Sequence, residues 1–296
     1  VLPGFPSIVS RDHSFEMNRS CSIFITMWGT SMNSLFLRKS ATYVAAALLP
    51  VFLQISPARA AGSGDSVAEA MSAKPSIVLV HGAFADGSSW DKIVPILQQK
   101  GYTVVAVQNP LSSLADDVAA TKRVIDAQPG QVVLVGHSWA GVVITEAGNN
   151  DKVKSLVYVA AFAPAEGESI ADITKDAPPP PYAKSLVPDE GGFLTLTPAA
   201  VATYFAQDLS PATARTLAAT QGSWQSHCLQ DKVTTAAWKT RPSWAVVARN
   251  DRMIPATFER AMAQKIGAHV TEVDSSHVAM LAKPGAVAAV IEEASR

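Results

Sequence analysis

The chain has 296 residues, of which 48% are hydrophobic and 17% charged, and its formal net charge is -1. Such a balance suits one globular domain with a large core, with room for an insertion. No basic patch is visible, which argues against nucleic acid as a partner.

Residues 1–60 do not read as fold. Val1–Ser31 lacks any sustained hydrophobic period and mixes Gly, Pro, Ser and Arg. It is expected to be an upstream extension. From Met32 the pattern changes. Arg38-Lys39 is followed by the apolar run Tyr43–Leu53, broken only by Pro50, and then by Ala58-Arg59-Ala60. Charge, apolar stretch and A-x-A site together predict a secretory signal peptide cleaved after Ala60. The run is too short for a membrane span, which needs about 20 apolar residues. A secreted or periplasmic location is therefore expected, with no stable membrane span once the leader is removed. Cys21 would leave with the leader, so Cys228 has no partner for an intrachain disulfide. It is read as a small buried hydrophobe. Ala61–Ser66 is expected to be a flexible start.

The mature chain then alternates. Ser76–Val80 reads as a short buried strand, and His81–Gly87 breaks it with turn residues. Ser88 is expected to cap a helix through Lys100, closed by Gly101. Thr103–Val107 is the next strand and Leu114–Ala127 the next helix, ended by Pro129-Gly130. Gln131–Val135 is a further apolar strand, and Lys154–Ala160 another. This rhythm predicts an α/β fold with a doubly wound, mostly parallel sheet.

The rhythm fails from Ala161 to about Arg241. Pro178–Pro181 marks a loop, and only Pro198–Ala206 and Pro211–Ala219 look helical. So long a break inside a regular fold is more naturally an insertion than a structureless loop. The expected organisation is a core of residues 61–164 and 242–296 with a helical cap over 165–241. The sheet resumes at Trp244–Ala248. A helix follows to about Ile266, then a last strand, His269–Val273, and a closing helix, Gly285–Ala294.

Between the Gln131–Val135 strand and the helix after it lies Gly136-His137-Ser138-Trp139-Ala140-Gly141. A serine held at so sharp a strand-to-helix turn has its hydroxyl lifted above the sheet edge. The turn needs small residues two before and two after the serine, here Gly136 and Ala140. The backbone N–H of Trp139 then points at the reaction centre as an oxyanion donor. A serine hydroxyl is a weak nucleophile and needs a base oriented by a carboxylate. In such sheets the working groups sit at the carboxyl ends of strands. Of the six histidines, His13 is in the leader, His227 is in the insertion and His269 begins a strand. His81 and His137 precede the serine. His277 alone follows a strand end late in the chain, and it is the expected base. Asp251, just after Trp244–Ala248, is the expected acid. Asp274, Glu166 and Glu168 are the alternatives. The second oxyanion donor is expected from the Ala83 N–H, with Phe84 second. Phe84, Tyr182, Phe193, Tyr204, Phe205 and Trp224 are candidate pocket residues.

Val80-His-Gly-Ala-Phe84, Gly136–Gly141, Asp251-Arg-Met-Ile-Pro255 and His277-Val-Ala-Met-Leu281 together resemble the α/β-hydrolase superfamily. The nearest branch is that of small esterases related to plant methyl-ester esterases and hydroxynitrile lyases. The resemblance spans roughly residues 76–294 and is weakest in the cap. It implies a six-stranded parallel core, no cofactor or metal, and Ser138, Asp251 and His277 as the catalytic set. The lyases of this branch place a Lys after the catalytic His and a Thr in the oxyanion loop. Here those positions hold Val278 and Gly82, so ester hydrolysis is favoured over cyanohydrin cleavage. The expected substrate is a small-molecule carboxylic ester, short-chain or aryl rather than a long lipid. The alternatives are other chemistry on the same residues (lactonase, amidase, perhydrolase, C–C lyase) or a ligand-binding receptor of this fold.

Overall fold

The computed structural model describes residues 74–296, which fall within one compact unit, Ala60–Arg296. The expected upstream extension, the expected leader with cleavage after Ala60, and the expected flexible start at Ala61–Ser66 lie outside the described residues.

Six strands form the main sheet: β1 Ser76–Val80, β2 Val104–Val107, β3 Val132–His137, β4 Val153–Val159, β8 Ser243–Ala248 and β9 His269–Val273. Their order is β2-β1-β3-β4-β8-β9, and each neighbouring pair is parallel. Every residue of β1 and β3 is buried, which is why both read as continuous apolar runs rather than alternating ones. At the edges the burial falls away: β2 is largely half-buried and β9 begins with two exposed residues.

Helices cover both faces. Ser155 Oγ donates to Ala294 O at 2.7 Å from one face of β4, while Tyr158, three residues on, meets Thr145 Oγ1 at 3.0 Å on the other. Opposite parity along a strand means opposite faces. Ile93–Gln99 and Pro284–Ala294 therefore share one layer, and Leu114–Asp126 and Ala140–Ala147 the other.

Three details differ from the sequence expectation. The helix expected from Ser88 does not start there. Asp86 accepts from Ser88 N at 2.8 Å and turns the chain earlier, into a 3-10 turn Gly87–Trp90, and the α-helix begins only at Ile93. The helix expected over Pro198–Ala206 is one α-turn, Pro198–Ala200, running into a π-turn, Val201–Phe205, closed by Ala206 N to Val201 O at 2.9 Å.

The third difference is that the segment between β4 and β8 is not simply helical. It carries a three-stranded antiparallel sheet made of β5 Leu186–Pro188, β6 Phe193–Leu196 and β7 Trp224–Gln225. The β5–β6 hairpin turns on Asp189 and Gly192: Phe193 N donates to Asp189 Oδ1 at 2.9 Å, and Gly192 takes φ +78°. A glycine is what a left-handed turn position favours. The helix Pro211–Thr220 occupies the stretch where one was expected.

Candidate active site

Four loops converge at the carboxyl-terminal edge of the main sheet: those after β1, β3, β8 and β9. Ser138 directly follows β3 with φ +56°, a left-handed conformation that side chains other than glycine rarely adopt. Its N–H donates to Val159 O at 3.2 Å, and its carbonyl accepts from Gly141 N at 3.0 Å and Phe162 N at 3.2 Å. These bonds hold the corner in place. A Cβ added at Gly136 would lie 2.6 Å from Ala140 O. The helix Ala140–Ala147 thus comes so close to the strand that only hydrogen fits between them.

The loop after β1 passes against the same corner. A Cβ at Gly82 would lie 2.8 Å from Ser138 Cβ and 2.7 Å from His137 O. His81 anchors this loop. Its Nε2 accepts from Asn109 N at 3.0 Å, so the ring proton belongs on Nδ1, which donates to Gly82 O at 3.0 Å. Burial lowers its pKa and keeps it neutral. Among the described residues, neither the Ala83 N–H nor the Trp139 N–H donates to a protein acceptor. Trp139 follows Ser138 in the chain, and Ala83 follows Gly82, which packs against Ser138.

His277 and Asp251 meet. His277 Nδ1 lies 2.6 Å from Asp251 Oδ2, with the two side chains 1% and 0% exposed. A carboxylate can only accept, so the proton sits on Nδ1 and Nε2 is left as the basic nitrogen. Asp251 Oδ1 accepts from Met253 N at 2.6 Å and Ile254 N at 2.9 Å, which fixes the carboxylate plane. His137 packs against His277 with ring centroids 4.7 Å apart, and its Nε2 donates to His277 O at 3.0 Å. Burial pushes the His137 pKa well below its usual value, so it works as a neutral donor. Among the described residues no hydrogen bond joins Ser138 Oγ to His277.

The alternative acids are engaged elsewhere. Asp274 is exposed and pairs with Arg249 at 3.0 Å; Glu166 pairs with Lys239 at 2.8 Å and Glu168 with Lys265 at 2.6 Å. Of the candidate pocket residues, Phe205 lies against His277 at 5.3 Å between ring centroids. Trp224 lies against Trp139 at 5.4 Å and edge-on to Phe84 at 5.8 Å. Tyr182 sits near Asp251: burial and that charge push its phenol up to about 12. Tyr204 is half-buried against the core. Phe193 pairs with Gln225 in the small sheet, and among the described residues it makes no aromatic contact with this group.

Three supporting residues went unnoticed in the sequence. Asp117 is fully buried and accepts from the Trp139 indole Nε1 at 2.7 Å and from Leu111 N at 2.8 Å. Asp208 accepts from Ser276 N at 2.7 Å, bracing the loop that carries His277. Glu259 is buried and accepts from Ala248 N, at the end of the strand before Asp251, at 3.1 Å. Asp117 and Glu259 each fall on the apolar stripe of their helix, three residues from Leu114 and Met262 respectively. A charged residue at such a position is the signal that was available.

One group of metal-ligating type occurs among the described residues. Ligand atoms of His227, Cys228 and Asp231 lie within 4.8 Å of one another. The Asp231 carboxylate already accepts from Leu114 N at 2.8 Å, and burial raises the Cys228 thiol pKa, so the sulfur is protonated and a poor ligand.

Residues 77–290 match the profile of the Alpha/beta hydrolase family. The chain belongs to that family. Among α/β-hydrolases it is 28% identical over 244 residues to Alpha/beta hydrolase nvfD of Aspergillus novofumigatus, covering 75% of this chain and 97% of that one. It is 32% identical over 130 residues to the Carbendazim hydrolyzing esterase of Nocardioides sp., covering 39% of this chain and 52% of the relative. In fold it is similar to the crystal structure of polyneuridine aldehyde esterase, with a TM-score of 0.66 at 20% identity, covering 76% of this chain and 100% of that chain. Among the described residues no helix is long and apolar enough to cross a membrane.

Proposed function

We propose that this α/β-hydrolase cleaves carboxylic esters of small or aryl substrates through an acyl-enzyme on Ser138, with His277 as base and Asp251 as its orienting carboxylate. The observation that carries the reading is the buried 2.6 Å contact between His277 Nδ1 and Asp251 Oδ2, on the sheet edge that also holds the strained Ser138. Substrate entry brings the serine hydroxyl and His277 Nε2 into hydrogen-bond contact. His277 takes the serine proton as Oγ attacks the ester carbonyl. The Ala83 and Trp139 N–H groups receive the oxyanion. The alcohol leaves with the proton from His277, and water, activated by the same imidazole, releases the acid.

Residues 165–241 act as the cap, and Phe84, Trp139, Phe205, Trp224 and Tyr182 form an aromatic wall suited to flat or short acyl groups. Gly82 and Val278 favour hydrolysis over cyanohydrin cleavage. A side chain at position 82 would press on Ser138, and Val278 supplies no cation. A cleaved leader would place the reaction outside the cytosol.

The test is p-nitrophenyl acetate hydrolysis by wild type and Ser138→Ala. Activity should fall by about 10⁴-fold or more in the variant, to whatever the oxyanion donors alone sustain. Turnover that survives the substitution would refute the mechanism. A preference for long acyl chains would refute the substrate class.

A further inference from the structure

Asp251 is held by three donors: Met253 N and Ile254 N on Oδ1, and His277 Nδ1 on Oδ2. A second carboxyl faces it. The helix Ala256–Lys265 sets Glu259, 3% exposed, against the turn that carries Asp251, whose own N–H donates to Ala248 O at 3.1 Å. Glu259 Oε2 accepts from Ala248 N at 3.1 Å, and Oε1 has no nitrogen or hydroxyl partner among the described residues.

The surroundings supply no compensating charge. The Arg260 guanidinium is committed to Glu272 at 2.7 Å and 2.9 Å, and the Tyr158 hydroxyl to Thr145 at 3.0 Å. The other neighbours on this side are Ala161, Ala163, Ala245, Val247 and Met262 around a cavity of about 10 Å³. That leaves room for one water at most, so a second anion here would be poorly solvated. Two carboxylates facing each other in such a place are strongly disfavoured from ionising together. One proton is shared, and the donor count decides where it rests. Asp251 already accepts three N–H groups, which need a carboxylate; Glu259 accepts one.

We propose that Glu259 is a positioning residue that stays protonated and donates from Oε1 to the Asp251 carboxylate, keeping a single negative charge behind His277. This rests on the reading of Ser138, Asp251 and His277 as the hydrolytic set. Burial and the Asp251 charge push the Glu259 pKa up to about 10, in agreement. A lone charge orients the imidazole. A doubled one would hold it as imidazolium and slow its return as a base.

The experiment uses Glu259→Gln and Glu259→Leu in the full chain, with two readouts. The first is the pH profile of ester hydrolysis. Gln is a neutral isostere that can donate to Asp251 and accept from Ala248 N. Its acid-limb midpoint should stay within about 0.3 unit of wild type, with kcat retained to within a factor of about three. Leu can do neither, so kcat should fall about tenfold with KM little changed. A downward shift of about one unit or more in the Gln variant would mean that wild-type Glu259 is charged, and would overturn the proposal. Equal loss in both variants would overturn it too.

The second readout is thermal stability against pH. An acid whose folded pKa exceeds its unfolded value of about 4.3 keeps its proton in the native state and releases it on unfolding. Wild-type stability then declines as pH rises through the window up to about 10. Glu259→Gln lacks that decline, so its Tm advantage should grow between about pH 5 and pH 9. A Tm difference constant across that range would overturn the proposal. If Glu259→Leu does not fold, the wild-type and Gln comparison decides alone. Ser138→Ala separates the two readings. Activity surviving there sinks the hydrolytic set, while the Tm comparison still locates the proton.

Discussion

Asp117→Asn should gain stability relative to wild type as pH rises from about 4 to about 7.5, while impairing activity. Asp117 is fully buried, and its two oxygens hold the Trp139 indole at 2.7 Å and Leu111 N at 2.8 Å. Burial raises its pKa to about 6 despite those two donors. Relative to an ordinary aspartate near 3.9, the shift is roughly two units, or about 3 kcal/mol of disfavoured ionisation in the native state. The sign follows from the proton count. Below about pH 4 the group is protonated in both states and imposes no penalty. Between about pH 4 and pH 6 the unfolded chain loses its proton first, so stability falls as pH rises, and above that window the full penalty stands. Asn carries no charge to bury, but its amide accepts at one atom only, so one of the two N–H groups loses its partner at a cost of about 1–3 kcal/mol. The variant should therefore lie below wild type near pH 4 and gain about 3 kcal/mol on it by about pH 7.5. Activity should move the other way. The indole loses a charged acceptor, and the backbone N–H of the same residue is the proposed oxyanion donor. Urea unfolding at the two pH values and kcat/KM at neutral pH check both halves. A stability difference that does not change with pH would refute the buried-charge argument, and an unaltered kcat/KM would refute the link from Asp117 to the oxyanion site.

Two more outcomes follow from close contacts. Asp208→Ala leaves the buried Ser276 N–H without its 2.7 Å acceptor, so it should cost about 1–3 kcal/mol and lower kcat more than it raises KM; a change confined to KM would contradict its role in bracing His277. Gly136→Ala places a methyl 2.6 Å from Ala140 O, so the variant should lose about 1–3 kcal/mol in denaturant melts, and an unperturbed melt would mean the strand–helix corner is less tight than described.

The central strands of the main sheet were readable because they are buried on both faces and the turns carry Gly, Pro and Asp. β1 is buried throughout, and it begins and ends where its apolar run does. The meeting of Asp251 with His277 was readable for a related reason: both lie in loops that follow strand ends late in the chain, on the edge that holds Ser138. The small sheet was not. Its strands Leu186–Pro188, Phe193–Leu196 and Trp224–Gln225 are too short for a period to show, and the last pairs across a long stretch of chain. Nor does local pattern foretell that Val201–Phe205 winds as a π-turn, since that depends on what Phe205 and Thr203 meet elsewhere. Asp117 and Glu259 were hidden differently. Each sits among charged neighbours that suggest a solvated helix face, and only the three-residue step to an apolar position betrays burial.

The segment between β4 and β8 is bound to the loops that hold the proposed acid and base. Gln207 donates to Asn250 O at 2.7 Å, Asp208 accepts from Ser276 N at 2.7 Å, and Arg252 donates to Thr203 O at 3.0 Å. Phe205 lies on His277, and Trp224 on both Trp139 and Phe84. One stretch of chain therefore packs against the aromatic residues near Ser138 and also braces the loops of Asn250, Arg252 and Ser276. In the proposed hydrolysis, binding energy from a substrate's acyl or alcohol group taken up by these aromatic side chains would be delivered to the positions of the proposed catalytic groups. Selectivity in such an arrangement belongs to kcat as much as to KM. Substitutions in the aromatic wall should shift substrates by changing turnover, and a cap that could be exchanged without disturbing kcat would have to be one whose ties to Asn250, Arg252 and Ser276 were preserved.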